Sequence, residues 1–179
     1  MIKPYDYFQR KGVEEISWTQ FGKLAAILSE RLAVEDLDII IGIARAGLFP
    51  ATAVACALRR EFFPVRVTRR LNDQVVSQHP IWKVDVPAQV SGKTVAVVDE
   101  IADTGETLAL VAQRILERGA ARVVTASLVK HGWASPAPDY VALVSDALVI
   151  FPWDKHIFQH GHWQVHPELA EALALQRRS

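Results

Sequence analysis

The sequence contains a single cysteine among 179 residues, which excludes an internal disulfide and with it the small disulfide-stapled secreted class. That cysteine, Cys56, lies in the apolar run Ala51 to Leu58 and reads as a small core residue rather than a nucleophile. Charge of one sign is also missing, since twenty Lys and Arg balance twenty Asp and Glu. Without a net positive field the chain has little with which to hold nucleic acid by phosphate neutralisation, although a local basic patch stays open. No apolar stretch approaches the about 18 residues that span a bilayer. The start, Met1-Ile2-Lys3-Pro4-Tyr5-Asp6-Tyr7, carries no apolar signal region. Internal repeats, low-complexity tracts and linkers are absent as well. The expectation is a single cytoplasmic domain over residues 1–179, with no membrane and no nucleic-acid partner.

What is present is an apolar chain, half of it hydrophobic, which suffices for a sizeable core. Strands and helices alternate along it, the pattern of an α/β fold with a mostly parallel sheet. Ser17 and Gln20 read as a capping box, and Phe21, Leu24, Ala25, Leu28 and Leu32 follow at helical spacing. Leu37 to Ile43 is a β-branched run suited to a buried parallel strand. A small-residue helix is expected from about Leu48 to Arg59, then a strand at Phe63 to Thr68. Thr94 to Val98 and Arg122 to Val129 are buried strands, with a helix between them that turns Leu108, Val111, Ala112 and Ile115 to one face. Strands at Tyr140 to Val144 and Leu148 to Phe151 and a helix at Pro167 to Leu175 complete the expectation. Between them, Arg69 to Ser91 has little periodicity. It reads either as a functional lid or as a surface excursion such as a hairpin.

The chemistry concentrates between Val95 and Leu110. Acidic side chains and a Thr-Gly turn stand at the carboxyl end of a central strand, just before a helix. Ligands of open α/β sheets bind outside the carboxyl ends of the strands. A helix N-terminus presents unpaired N–H groups and a positive dipole end, so the loop from Asp103 to Thr107 suits a phosphate. Gly105 permits close backbone approach, and the hydroxyls of Thr104 and Thr107 are donors. Asp99 and Glu100 would repel a phosphate placed between them, but they can accept hydrogen bonds from the hydroxyls of an attached sugar. A turn with an N-cap would account for Asp99-Glu100 alone. It does not account for the whole strand, acidic pair, Asp-Thr-Gly-x-Thr and helix. The ligand implied is a sugar phosphate.

The segment Val95-Ala96-Val97-Val98-Asp99-Glu100-Ile101-Ala102-Asp103-Thr104-Gly105-Glu106-Thr107 resembles the motif of type I phosphoribosyltransferases that binds phosphoribosyl pyrophosphate (PRPP). It departs at Glu100, where the family usually has aspartate. The resemblance implies the single-domain type I fold: a mostly parallel twisted sheet flanked by helices, with a core at about 37–130. A small hood and base-site elements would come from about 1–35 and 131–179. It implies that Asp99, Glu100, Asp103, Thr104, Gly105, Glu106 and Thr107 hold the ribose and 5-phosphate. Upstream, Gly42-Ile43-Ala44-Arg45-Ala46-Gly47-Leu48 resembles the family's pyrophosphate loop, which assigns pyrophosphate to Ala44, Arg45, Ala46 and Gly47 and suggests a cis peptide at Arg45-Ala46. Mg²⁺ is the implied cofactor, carried mainly by PRPP's own oxygens, with Asp99 and Glu100 the only protein groups expected near it.

For the base, the resemblance points to a 6-oxopurine (hypoxanthine, guanine or xanthine) in purine salvage. Asp103 matches the aspartate that handles the N7 proton as general acid or base. Lys130 matches a lysine that reads the 6-oxo group, for which a donor-only side chain is suited. Phe151-Pro152-Trp153-Asp154 resembles the Pro-Trp-Asp segment of bacterial xanthine–guanine enzymes and their archaeal relatives, which adds Trp153, Asp154 and the nearby Leu148 as base-binding residues. Against this, Ala147 stands where those enzymes carry a stacking aromatic, and Trp133 and Trp153 are the candidate replacements. An enzyme for adenine or a pyrimidine such as orotate, and a PRPP-sensing regulator, stay open as alternatives. Arg69 and Arg70 read either as pyrophosphate ligands or as solvated arginines. His156, His160, His162 and His166 read as surface or hood packing rather than a metal site. A homodimer or higher homo-oligomer is expected from the resemblance alone.

Overall fold

The computed structural model describes residues 10–68, 70–71, 74–75 and 81–176. In chain order these form β1 (Val13–Glu15), α1 (Trp18–Leu32), β2 (Ile39–Ile43), α2 (Leu48–Leu58), β3 (Glu61–Thr68), β4 (Arg70–Leu71), β5 (Gln74–Val75) and β6 (Ile81–Val84). There follow β7 (Thr94–Ala102), α3 (Glu106–Glu117), β8 (Arg122–Lys130), β9 (Tyr140–Val144), β10 (Leu148–Ile150), β11 (His156–Gln159), β12 (His162–Val165) and α4 (Pro167–Gln176). Among the described residues no helix is long and apolar enough to cross a membrane.

The chain divides into two compact units, residues 23–144 and residues 1–22 with 145–179. The larger unit is built on a six-stranded sheet of order β6-β3-β2-β7-β8-β9. Its strands are parallel except β6, which pairs antiparallel at the edge. Side chains of successive strand residues point to opposite faces, and the sequence fills both. Ile40, Ala96, Val98, Val124 and Ala126 pack with Leu28 and Leu32 of α1 and Ala51 and Val54 of α2. Ile39, Ile41, Ile43, Val95 and Val97 pack with Leu108, Val111 and Ile115 of α3. Each valine, leucine or isoleucine among them contributes about 1.5–3 kcal/mol when fully buried. That cohesion offsets the polar groups drawn inward at the strand ends.

The strand order reverses beside β2: the chain goes from β2 to β3 on one side and returns to β7 on the other. The adjacent carboxyl ends of β2 and β7 therefore flank the topological switch point, where doubly wound sheets bind ligands.

Several local expectations hold in detail. Ser17 and Gln20 cap α1 reciprocally: Gln20 N–H donates to Ser17 Oγ at 3.2 Å and Ser17 N–H to Gln20 Oε1 at 2.8 Å. α2 stops where Arg59 takes the left-handed conformation, φ 56°. Other details differ. β7 runs on to Ala102, because register pairs through Asp99–Ser127 and Ala102–Lys130 keep its backbone in the sheet. Cys56 is exposed, since the buried stripe of α2 passes through Pro50, Ala51, Val54 and Ala55. In the Arg69 to Ser91 segment, β4 and β5 pair as a short hairpin, and β6 is an edge strand of the sheet. Val86 and Val90 are buried core, so the second half of this segment is not a surface excursion. The expected lid falls partly on residues outside the described ones, 72–73 and 76–80, as does Arg69, and the Arg70 side chain is not described.

The smaller unit holds a parallel β1–β10 pair, the antiparallel β11–β12 hairpin and α4. His160 and Gly161, both with positive φ, turn that hairpin, so His156, His160 and His162 do not share a helix face. Phe151 and Trp153 stack with ring centroids 4.9 Å apart, and Phe21 meets Trp153 edge-on at 5.3 Å. Trp18, Pro152, Trp153, His156 and Trp163 line a cleft of about 440 Å³ within this unit.

Candidate active site

Two loops leave the switch point side by side. The first, Ala44–Gly47, joins β2 to α2 and is anchored by Ala44 N–H donating to Val65 O at 2.7 Å. Its cis peptide is Ala44–Arg45, one bond earlier than the Arg45–Ala46 position expected from the sequence. Gly47 is the N-cap of α2 and abuts the β7 end, where a Cβ on it would meet Asp99 Oδ1 at 2.5 Å and Ile43 O at 2.6 Å. Close approach, not backbone conformation, demands glycine here, since Gly47 has an ordinary αR geometry.

The second loop, Asp103–Gly105, joins β7 to α3. Gly105 is the N-cap with φ 87°, a conformation that glycine adopts without a steric penalty. Thr104 Oγ1 accepts from Glu106 N–H at 3.3 Å. Thr104, Glu106 and Thr107 are exposed at the N-terminus of α3, whose dipole end favours an anion.

Between the loops lie the two carboxyls at the end of β7. Asp99 is 9% exposed, and its Oδ1 accepts the Glu100 N–H at 2.9 Å. Burial pushes the Asp99 carboxyl above the usual aspartate value. Burial pushes Glu100 further, well above the usual glutamate value, and the adjacent Asp99 charge and their shared hydrogen bond add to it. Both carboxyls are thus shifted toward their protonated forms, Asp99 by burial and Glu100 by burial and its neighbour's charge.

Asp103 stands at the base of the second loop with its side chain 29% exposed. Trp133 Nε1 donates to its Oδ1 at 3.3 Å, and the buried His131 ring places Nε2 3.9 Å from the same oxygen. Lys130, at the end of β8, pairs in register with Ala102 and so is a close neighbour of Asp103 across the sheet. Of the residues singled out from the sequence, the larger unit brings together Ala44–Gly47, Asp99–Thr107 and Lys130. Leu148, Trp153 and Asp154 belong to the smaller unit, where Leu148 is buried in β10 opposite Val13 and Asp154 N–H bonds Phe151 O. Sequence reading missed His131 altogether and weighed Trp133 as a stacking ring or as core or hood packing. No local pattern in His131-Gly132-Trp133 signals a partner thirty residues away.

An exposed helix N-terminus, a carboxyl pair and a second small-residue loop thus stand together at one switch point. Residues 15–166 match the family described as "Phosphoribosyl transferase domain". The chain belongs to this phosphoribosyltransferase family. Xanthine-guanine phosphoribosyltransferase of Idiomarina loihiensis is 31% identical over 145 residues, covering 79% of this chain and 87% of that one. Adenine phosphoribosyltransferase of Pelodictyon phaeoclathratiforme is 36% identical over 90 residues, 46% of this chain and 50% of that one. The crystal structure of a purine phosphoribosyltransferase from Pyrococcus horikoshii superposes with a TM-score of 0.73 at 26% identity, over 83% of this chain and 98% of that one. The fold is therefore the type I phosphoribosyltransferase fold, and the chain is of an enzyme family that transfers phosphoribosyl groups.

Proposed function

We propose that this chain transfers the ribose 5-phosphate of PRPP to a 6-oxopurine base and releases pyrophosphate, a cytoplasmic salvage reaction on small-molecule substrates. The observation that carries the reading is the adjacency, at the switch point, of the Asp99-Glu100 pair, the Asp103–Gly105 loop and the Ala44–Gly47 loop. The relative matched over 87% of its length acts, by its name, on xanthine and guanine.

In this mechanism the N-terminus of α3, with Thr104, Gly105, Glu106 and Thr107, holds the 5-phosphate through backbone N–H groups and hydroxyls. Asp99 and Glu100 accept hydrogen bonds from the ribose hydroxyls. The bond from ribose C1 to the pyrophosphate oxygen breaks, and pyrophosphate leaves toward the Ala44–Gly47 loop with Arg45 beside it. A ring nitrogen of the base forms the new bond to C1. The base thereby becomes more acidic, and Asp103 takes the N7 proton. Lys130 donates to the 6-oxo group. The roles of Leu148, Trp153 and Asp154 in binding the base, and of Arg69 and Arg70 at the pyrophosphate, rest on sequence position alone.

Among the described residues no three His, Cys, Asp or Glu side chains cluster as a metal site. A Mg²⁺, which favours phosphate and water oxygens, would take most of its ligands from PRPP and water, with Asp99 and Glu100 as the protein's contribution. When bound with PRPP it supplies charge neutralisation for the pyrophosphate. Assembly as a homodimer or larger homo-oligomer is part of the proposal, and sedimentation velocity tests it.

The test is pyrophosphate release from Mg-PRPP with hypoxanthine, guanine, xanthine, adenine, orotate and uracil supplied separately. Turnover with a 6-oxopurine, lost in Asp103→Asn, is the expected result. Faster turnover with adenine would favour the second reading, which the adenine relative's 36% identity motivates. PRPP binding without turnover on any base would leave a PRPP-sensing regulator.

A further inference from the structure

The segment from His131 to Pro136 follows the second loop residue by residue. His131 N–H donates to Ala102 O at 3.1 Å, and Ser135 N–H donates to Thr104 O at 2.9 Å. Between those backbone bonds, Trp133 Nε1 donates to Asp103 Oδ1 at 3.3 Å. Beyond them, Pro136 O sits so close to Gly105 that a Cβ there would lie 2.0 Å away. Every residue from Ala102 to Gly105 is thus engaged by this segment, Asp103 through its side chain.

The Trp133 ring is itself fixed. It lies parallel to the His131 imidazole, with centroids 4.4 Å apart and planes within 14°. His131 is fully buried, and its backbone is tied to the end of β7. An aspartate carboxyl turns freely about its last torsion, which has broad minima. A donor on a rigid ring removes that freedom at one oxygen and so sets the direction of the other. The 3.3 Å separation lies slightly beyond the usual N–H···O range.

We infer that Trp133 is a positioning residue for Asp103: its indole N–H, held by the stack on His131, orients the carboxylate that exchanges a proton with the base. The inference rests on the reading of Asp103 as the general acid or base. It gives the tryptophan a role other than that of the stacking platform missing at Ala147. Since misplacing a catalytic group by about 1 Å can cost on the order of 100-fold, orientation alone can carry a large effect.

Trp133→Phe keeps an aromatic ring on His131 and deletes the N–H. Measured with the 6-oxopurine that turns over fastest, it is expected to lower kcat about tenfold or more, with KM for PRPP and base within about twofold of the unmodified enzyme. In an Asp103→Asn background the same substitution is expected to cost little further, because the two residues act as a unit. Unchanged kcat in Trp133→Phe overturns the inference, as does an equal factor lost in both backgrounds. A rise confined to the KM for base also overturns it, because the ring is then a platform. Full turnover by Asp103→Asn alone removes the reading of Asp103 itself, an outcome distinct from an Asp103-dependent enzyme indifferent to Trp133. Trp133→His, which restores a ring N–H, should retain more activity than Trp133→Leu, and that comparison serves should the Phe variant not fold.

Discussion

Gly47 of the first loop and Asp99 of β7 are in direct contact: a methyl group on the Gly47 Cα would lie 2.5 Å from Asp99 Oδ1 and 3.0 Å from Asp99 Cα. The proposed pyrophosphate loop and the proposed ribose carboxyl therefore cannot move independently. Gly47→Ala must displace the carboxyl, the α2 N-terminus or both, and the backbone at Ile43 O leaves little room for relaxation. Overpacking of this kind typically costs about 1–3 kcal/mol. The expected outcome is a lower urea midpoint together with a KM for PRPP raised at least several-fold. A variant that lost stability but kept its KM for PRPP would separate the two loops functionally.

Glu100 links pH to stability. Its carboxyl is raised well above the ordinary glutamate value by burial and by Asp99, so the folded chain binds a proton that the unfolded chain releases. As pH rises from the ordinary glutamate range toward the raised one, stability falls. Glu100→Gln resembles the protonated form and removes this dependence. Its melting temperature should exceed that of the unmodified protein by more at pH 8 than at pH 5, while PRPP binds more weakly. Equal melting temperatures at both pH values would show that Glu100 is not held protonated.

Much of the core was legible because its signals are local. The five residues of β2 are all buried, as the run of isoleucines implies, and the Ser17–Gln20 box starts α1 as read. β7 was read four residues short because Asp99 and Glu100 look like loop residues, whereas pairing with β8 holds them in the sheet. β1, β6, β11 and β12 escaped notice because each has three or four residues, mostly exposed, with no alternation to see. The loop motifs of the site were legible for a chemical reason: glycine at 47 and 105 and hydroxyls at a helix start have few other uses in that order. The Trp133–Asp103 bond was not, because it joins segments thirty residues apart that only sheet pairing brings together.

Lys130 is expected to decide between bases. Its position at the end of β8, in register with Ala102, puts it beside Asp103, and its ammonium can only donate. A hydrogen bond from a charged group contributes about 1.5–3 kcal/mol. Lys130→Met should therefore lower kcat/KM for a 6-oxopurine roughly 10- to 150-fold while leaving the KM for PRPP unchanged. Adenine, with an amino group at that position, should lose less. Equal losses for both bases would assign Lys130 to something other than the 6-oxo group.

Ser127 tests whether the β8 side of the site is structural or substrate-binding. It is fully buried in register with Asp99, and its hydroxyl has no hydrogen-bond partner among the described residues. An unsatisfied buried hydroxyl costs about 1–3 kcal/mol of desolvation. Ser127→Ala removes that cost and leaves a space only slightly larger. The expected outcome is a gain of about 1 kcal/mol in unfolding free energy, or about 2–4 °C in melting temperature for a chain of this size, with kcat and KM for PRPP unchanged. A raised KM for PRPP with no gain in stability would mean that the hydroxyl is satisfied by the bound ribose through Asp99, and would add Ser127 to the residues that read the sugar.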